Sequence, residues 1–370
     1  MHSVPKRLQS APPGPTRAWL VRHGRSTFNA LGLYQGCCDE PELTEEGRRD
    51  ARLAGLALAS AGIRCVVASP LRRALDTAHE IVDELRRERR LVPCLRTDDR
   101  LKEVDLPEWQ GLRFDDVSSR YSEQYATWKS QPHLFHMQTA SGSLFPVLDL
   151  FERARSFWED LRSGDTRKNV LIVTHGGTCS ALISTALGTG PENFHTFQQS
   201  HAGISAINFR SAAGRQLLMT FNSVSHLGES LPKTKAGRTG LRLVLVTHAT
   251  DDRIGAEQLR RLLQLAGTEC MISHDKPSGR ARLKEMIAAV ECRSLTTALV
   301  VVPQREMHAV LRGLLGMPRL IAAGFRVCPL GLTVIHYPGA GSPPVLQAVN
   351  LFPGTGVPSA SRRMTEDCCV

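Results

Sequence analysis

Residues 18–29 read Ala-Trp-Leu-Val-Arg22-His23-Gly24-Arg-Ser-Thr-Phe-Asn29. Ala18 to Val21 is a short apolar run of the kind that forms a buried strand. It ends in a turn carrying a cation, an imidazole and a glycine, then hydroxyl and amide donors. A lone histidine after a strand is more often structural than chemical. An arginine beside it and a glycine that lets backbone approach closely shift that weighting. Those groups suit a nucleophilic imidazole next to a bound phosphate.

Outward from this stretch, strand and helix signals alternate. Thr44 caps a helix whose first turn holds Glu45 and Glu46, and apolar residues recur through Ala59. Ile63–Ala68 reads as a second strand and Leu71–Arg89 as a second helix. Asn169–Thr174 is a third strand, with a glycine-led helix after it through Leu187. Ile204–Arg210 and Leu217–Phe221 read as two more strands. Such alternation predicts an α/β protein of three layers, α/β/α, around a mostly parallel sheet. Three strands end in polar or glycine-rich turns, Arg22-His23-Gly24, Ser69-Pro70 and His175-Gly176-Gly177, where open α/β sheets bind ligands.

Ordered with these turns are the motifs of a known family. Arg22-His23-Gly24 with Asn29, Gln35-Gly36 and Leu43-Thr-Glu-Glu-Gly47 resembles the histidine phosphatase superfamily, branch 1 (phosphoglycerate mutase-like). Ser69-Pro-Leu-Arg-Arg73-Ala74 resembles its second phosphate-arginine motif. Leu101-Lys-Glu103 through Trp109-Gln-Gly111 is similar to the segment bearing its acid/base carboxylate. Val173-Thr-His175-Gly176-Gly177 is similar to the motif of its second histidine. The resemblance covers about residues 18–226 and implies His23 as nucleophile, with Arg22, Arg73, His175, Asn29 and Gly176 around the phosphoryl group. Glu103 would act as acid and then base, with Asp105 and Glu108 as fallback carboxylates. Arginines would compensate the phosphoryl charge, so neither metal nor cofactor is implied.

Two departures stand out. Arg25 occupies a position where many relatives carry Glu or Gln, and Leu106-Pro107 replaces a common Phe-Gly, which could reorient the Glu103 loop. Arg72 reads as a surface residue, and His195 and His201 as parts of a polar loop. Trp109–Leu150 falls where the family places a variable insertion over the site, and we read it as a lid that selects substrate and excludes water.

The rest of the chain sets its context. Of 370 residues, 42% are hydrophobic and 22% charged, which excludes general disorder. The formal charge is +10, from 38 Arg and 8 Lys against 36 acids. That favours anionic partners, and a small phosphorylated substrate satisfies it without nucleic acid. The basic run Arg86–Arg90 lacks the interleaved aromatics of a single-strand binder. The 10 cysteines show no C-x-x-C spacing and read as reduced thiols of a cytoplasmic protein. No apolar run reaches the ~20 residues of a membrane span.

Residues 1–16 and 353–370 read as disordered tails, 17–227 as the catalytic unit and 228–240 as a linker. Residues 241–352 read as a second, smaller copy. Val244–His248 echoes Trp19–His23, Cys270–Ser273 echoes Cys65–Ala68, and Thr297–Gly316 echoes Asn169–Gly188. In this copy Thr247 stands for Arg22, and Val302-Pro303-Gln304 stands where the second histidine would be. We expect it to be non-catalytic, serving packing, homodimer formation or substrate capping. The whole pattern predicts a metal-independent phosphomonoesterase. Mutase-type phosphoryl transfer and a non-catalytic phosphate-binding module are the alternatives.

Overall fold

The computed structural model describes residues 16–352, apart from residues 90–92, 141, 164–168, 210–215, 235–238, 249–253, 255, 269, 291–293 and 340–341. The expected tails, all but Thr16, and the middle of the expected linker therefore lie outside the described residues.

The strands are β1 (Thr16–Arg22), β2 (Ile63–Ala68), β3 (Cys94–Thr97), β4 (Met137–Thr139), β5 (Gly142–Leu144), β6 (Asn169–Thr174), β7 (Ile204–Phe209), β8 (Gln216–Ser223), β9 (Gly240–His248), β10 (Met271–Ser273), β11 (Leu295–Pro303), β12 (Leu332–Tyr337) and β13 (Val345–Leu351). The helices are α1 (Thr27–Leu31), α2 (Glu45–Leu58), α3 (Arg72–Arg89), α4 (Phe114–Arg120), α5 (Ser122–Ser130), α6 (Pro146–Ser163), α7 (Gly176–Leu187), α8 (Ala256–Ala266), α9 (Pro277–Ala288), α10 (Met307–Leu315) and α11 (Arg319–Ala322).

Eleven strands form one sheet, in the order β10-β11-β9-β12-β13-β8-β7-β1-β6-β2-β3, with β4 and β5 a separate hairpin. β6 lies parallel to both β1 and β2, while β7 is antiparallel to β1 and β8 antiparallel to β7. The later strands repeat this scheme. β11 lies parallel to β9 and β10, β12 is antiparallel to β9, and β13 antiparallel to β12. Antiparallel pairing of β13 with β8 joins the two sets into one sheet.

Period-two alternation explains the layers. Trp19 and Val21 of β1 pack with Ala54 and Leu58 of α2 and Ile81 of α3. Ala18 and Leu20 face the other way, into a core shared with Phe157 of α6 and Leu182 of α7. That second core continues through Leu243, Leu245 and Val300 of the later strands to Leu311 of α10. Thr44 caps α2 as expected, its hydroxyl accepting the Gly47 N–H at 3.0 Å. The described helices include none long and apolar enough to cross a membrane.

Candidate active site

The carboxyl ends of β1 and β6 are neighbours because the two strands are paired in parallel, Arg22 beside Thr174. His23 and His175 therefore emerge side by side, with ring centroids 5.2 Å apart. Gly24 can hold this turn because no side chain fits there: a Cβ would lie 2.3 Å from the Gly47 carbonyl oxygen. The Gly24 N–H is anchored on the Thr77 hydroxyl at 3.1 Å, so α3 also fixes the turn.

His23 is 2% exposed and its Nδ1 lies 2.7 Å from the Gly24 carbonyl oxygen. A carbonyl only accepts, so Nδ1 carries the hydrogen and Nε2 keeps its lone pair. Burial, with Arg22 and Arg73 close by, pulls the His23 pKa well below its ordinary 6.5. The imidazole is neutral at pH 7, the form a nucleophile needs. His175 is held down by the same causes, burial first and Arg73 next. Its Nε2 meets the Ser69 hydroxyl at 2.7 Å. Ser69 accepts the Leu71 N–H and has its own hydrogen to give to Nε2. In that arrangement Nδ1 of His175 bears the hydrogen, buried and without a partner among the described residues.

Two arginines complete the polar end. Arg73 is fully buried and donates to the Cys38 and Gly36 carbonyls at 2.7 and 2.8 Å. Arg22 donates to the Gln199 carbonyl at 2.8 Å. Burial lowers both guanidinium pKa values, and Glu103 opposes that. The Nε–H of each is buried and without a partner among the described residues. These donors, with His175 Nδ1–H, are of the kind an oxyanion accepts from.

Glu103 enters from the loop after β3. Its carboxylate accepts the N–H groups of Gly177 at 3.0 Å and Thr178 at 3.1 Å, at the N-terminus of α7. Gly177 must be glycine for this, since a Cβ would lie 2.5 Å from Glu103 Oε1. Despite Leu106-Pro107, Glu103 lines the same cavity of about 330 Å³ as Arg22, His23, Asn29, Arg73 and Gly176. Asp105 and Glu108 do not line it. Asn29 accepts from Ser26 at the N-terminus of α1 and borders the cavity. Arg72 is half-exposed and paired with Glu42.

Several contributors escape a reading of the sequence. Arg153 of α6 donates to the Lys102 and Glu103 carbonyls at 2.9 and 3.2 Å and clamps the Glu103 loop. Nothing in its helical context signals that role. His195 donates to the Trp128 carbonyl at 2.7 Å and lines the cavity rather than sitting in an ordinary loop. The segment expected as a lid contributes Phe114, Trp128 and Lys129 to the lining and packs around buried Trp109. From the later half, His336, Pro338 and Val345 also reach the cavity.

A layered α/β sheet that sets two neutral histidines side by side, with fully buried Arg73, half-buried Arg22 and a carboxylate close by, suits phosphoryl handling. The chain belongs to the histidine phosphatase superfamily (branch 1), whose family model matches residues 18–222. It is 33% identical over 249 residues to 2-carboxy-D-arabinitol-1-phosphatase of Triticum aestivum, a match covering 65% of this chain and 48% of that protein. The chain thus spans about half the length of the wheat relative. It is 29% identical over 210 residues to phosphoserine phosphatase 1 of Hydrogenobacter thermophilus, covering 57% of this chain and 93% of that one. A solved structure of phosphoserine phosphatase in complex with 3-phosphoglyceric acid from Entamoeba histolytica matches with a TM-score of 0.49 and 26% identity. It covers 57% of this chain and 99% of that chain.

Proposed function

We propose that the protein is a metal-independent phosphomonoesterase that acts on a small phosphorylated metabolite through a phosphohistidine intermediate. The orientation of His23 carries the reading: its Nδ1–H is held by the Gly24 carbonyl, which leaves Nε2 unprotonated within a cavity lined by two arginines. Nε2 attacks phosphorus as the P–O bond to the leaving group breaks. Glu103, protonated at that stage, gives its proton to the departing alkoxide. Arg22, Arg73 and the Nδ1–H of His175 bind the three equatorial oxygens, where charge accumulates. Water then attacks the phosphohistidine, Glu103 takes its proton, and the N–P bond breaks to release phosphate and free His23. The relatives named as phosphatases support the reaction class.

The test is phosphate release from p-nitrophenyl phosphate and a panel of sugar and glycerate phosphates with EDTA present, for the natural chain and for His23→Ala. EDTA-resistant release that His23→Ala abolishes is expected. Isomerisation of phosphoglycerate without net release would make the protein a mutase instead.

A further inference from the structure

The cavity around His23 is not built by the first 227 residues alone. His336 at the end of β12, Pro338 after it and Val345 at the start of β13 line it too. Their position is fixed by backbone. The Leu346 N–H donates to the Thr196 carbonyl at 2.7 Å, and the Gln198 N–H returns a bond to the Leu346 carbonyl at 3.0 Å. Gln347 Nε2 donates to Gln198 Oε1 at 3.1 Å. One residue further on, the Gln199 carbonyl accepts Arg22. The segment that orients a phosphate arginine is thus stitched to β13, and the stitching presents Val345 to the cavity.

The chemistry of the lining narrows what fits. Among the lining residues Tyr34, Phe114, Trp128, Phe194, Phe197 and Val345 form a largely aromatic set, beside the polar Gln35, Ser180, His195 and Gln198. Glu103 is the sole acidic residue among those lining it. Both its oxygens already accept backbone N–H groups, from Val104, Gly177 and Thr178. Its remaining capacity serves the leaving-group oxygen in the reading above, so no second lining carboxylate pairs with a substrate ammonium, and Lys129 on the lining repels one. His336 spends its Nε2–H on the Thr239 carbonyl at 2.8 Å, and burial keeps the ring neutral. Burying an unpaired cation is costly, whereas a flat apolar ring gains from each aromatic wall it covers.

We propose that His336, Pro338 and Val345, carried by β12 and β13, complete the leaving-group subsite of this active site, and that the subsite takes the ring-bearing alcohol of a phosphomonoester carrying no cationic group. The proposal rests on the phosphatase reading above. Val345 is then a specificity-determining residue supplied by the half of the chain that lacks the phosphate cluster.

The experiment measures phosphate release by the full chain from naphthyl phosphate, a nucleoside monophosphate, glycerol phosphate and phosphoserine. The natural chain is compared with Val345→Phe and Val345→Ala, each checked for folding by circular dichroism and melting. The expected kcat/KM for the ring-bearing esters exceeds that for phosphoserine by about 10-fold or more, and Val345→Phe lowers it about 10-fold for naphthyl phosphate but under about 3-fold for glycerol phosphate. Val345→Ala, which keeps the fold if the larger side chain does not, raises KM for naphthyl phosphate about 3-fold with kcat unchanged. Preference for phosphoserine overturns the proposal and leaves the phosphatase reading intact. So does a response to Val345 substitution that is absent, or the same for every ester. Release from none of the esters overturns both.

Discussion

The two halves of the sheet share a strand order and differ in what stands at the strand ends. β1 ends in Arg22 with His23 next, and β9 at the matching place ends in Thr247 and His248. One backbone hydrogen bond recurs at both. The Ala202 N–H donates to the Arg22 carbonyl, and the Leu330 N–H to the Thr247 carbonyl. Ala202 and Leu330 both have positive φ, at 52° and 61°, as do Asn222 and Asn350, at 51° and 54°. Each asparagine ties its own half to the other: Asn222 Nδ2 donates to the Gln347 carbonyl and Asn350 Nδ2 to that of Met219. Non-glycine residues in this region are uncommon, and here they recur in pairs at corresponding strands of the two sets. The charge is not repeated. Where Arg22 aims into a cavity, the Thr247 hydroxyl closes on the Cys328 carbonyl at 2.8 Å. Where His175 follows β6, Gln304 follows β11. Topology supplies the position, and the residue placed there decides whether phosphate charge can be met.

Substitutions test this contrast. The largest effect is expected from the matched pair His23→Ala and His248→Ala. The first removes the proposed nucleophile and should lower kcat by about 10³-fold or more, while the second should leave it within about twofold. Equal effects would erase the distinction between the halves. Arg73→Ala removes a fully buried cation from the phosphate cluster and should cost about 10²–10³-fold in kcat/KM. Part of that loss would show as a lower melting temperature, because the Gly36 and Cys38 carbonyls lose their donor. Gly177→Ala sets a methyl group against Glu103 and should lower kcat about 10²-fold with little change in KM. The smallest effect concerns pH. His23, His175 and His226 all have pKa values below the usual 6.5, His226 at about 4 through burial. A depressed histidine takes up fewer protons folded than unfolded. Stability should therefore be full above pH 6.5 and fall as the pH drops from there toward each folded pKa. Urea unfolding at pH 7 and pH 5 checks the sign: the midpoint should be lower at pH 5.

Much of this was legible in the sequence because short-range chemistry writes it there. Apolar runs, the Thr44 cap and the glycine-led turns placed β1, β2, β6, α2 and α7 within a residue or two. The ordered motifs likewise single out His23, Arg73, Glu103 and His175; the structure puts the first three on one cavity and sets the His175 ring 5.2 Å from that of His23. The short edge strand β3 was missed, since Cys94–Thr97 has neither length nor alternation to announce it. Gly47 read as part of a motif, but its reason, close approach to Arg25 and Gly24, exists only in the packed molecule. Arg153, the stitching of Thr196–Gln198 to Leu346, and the share of Val345 in the cavity all depend on contacts between residues tens to hundreds of positions apart. No local pattern encodes such contacts, although substrate capping is among the roles expected of the second copy.

The central claim is that His23, and no residue of the second half, carries the phosphoryl group. The most direct measurement is a rapid alkaline quench of the full chain turning over p-nitrophenyl phosphate, followed by peptide mass spectrometry. The expected result is an acid-labile phosphate on the peptide containing His23, absent in His23→Ala and unchanged in His248→Ala. Phosphate release with no phosphorylated peptide, or with phosphate on the His248 peptide, would contradict it.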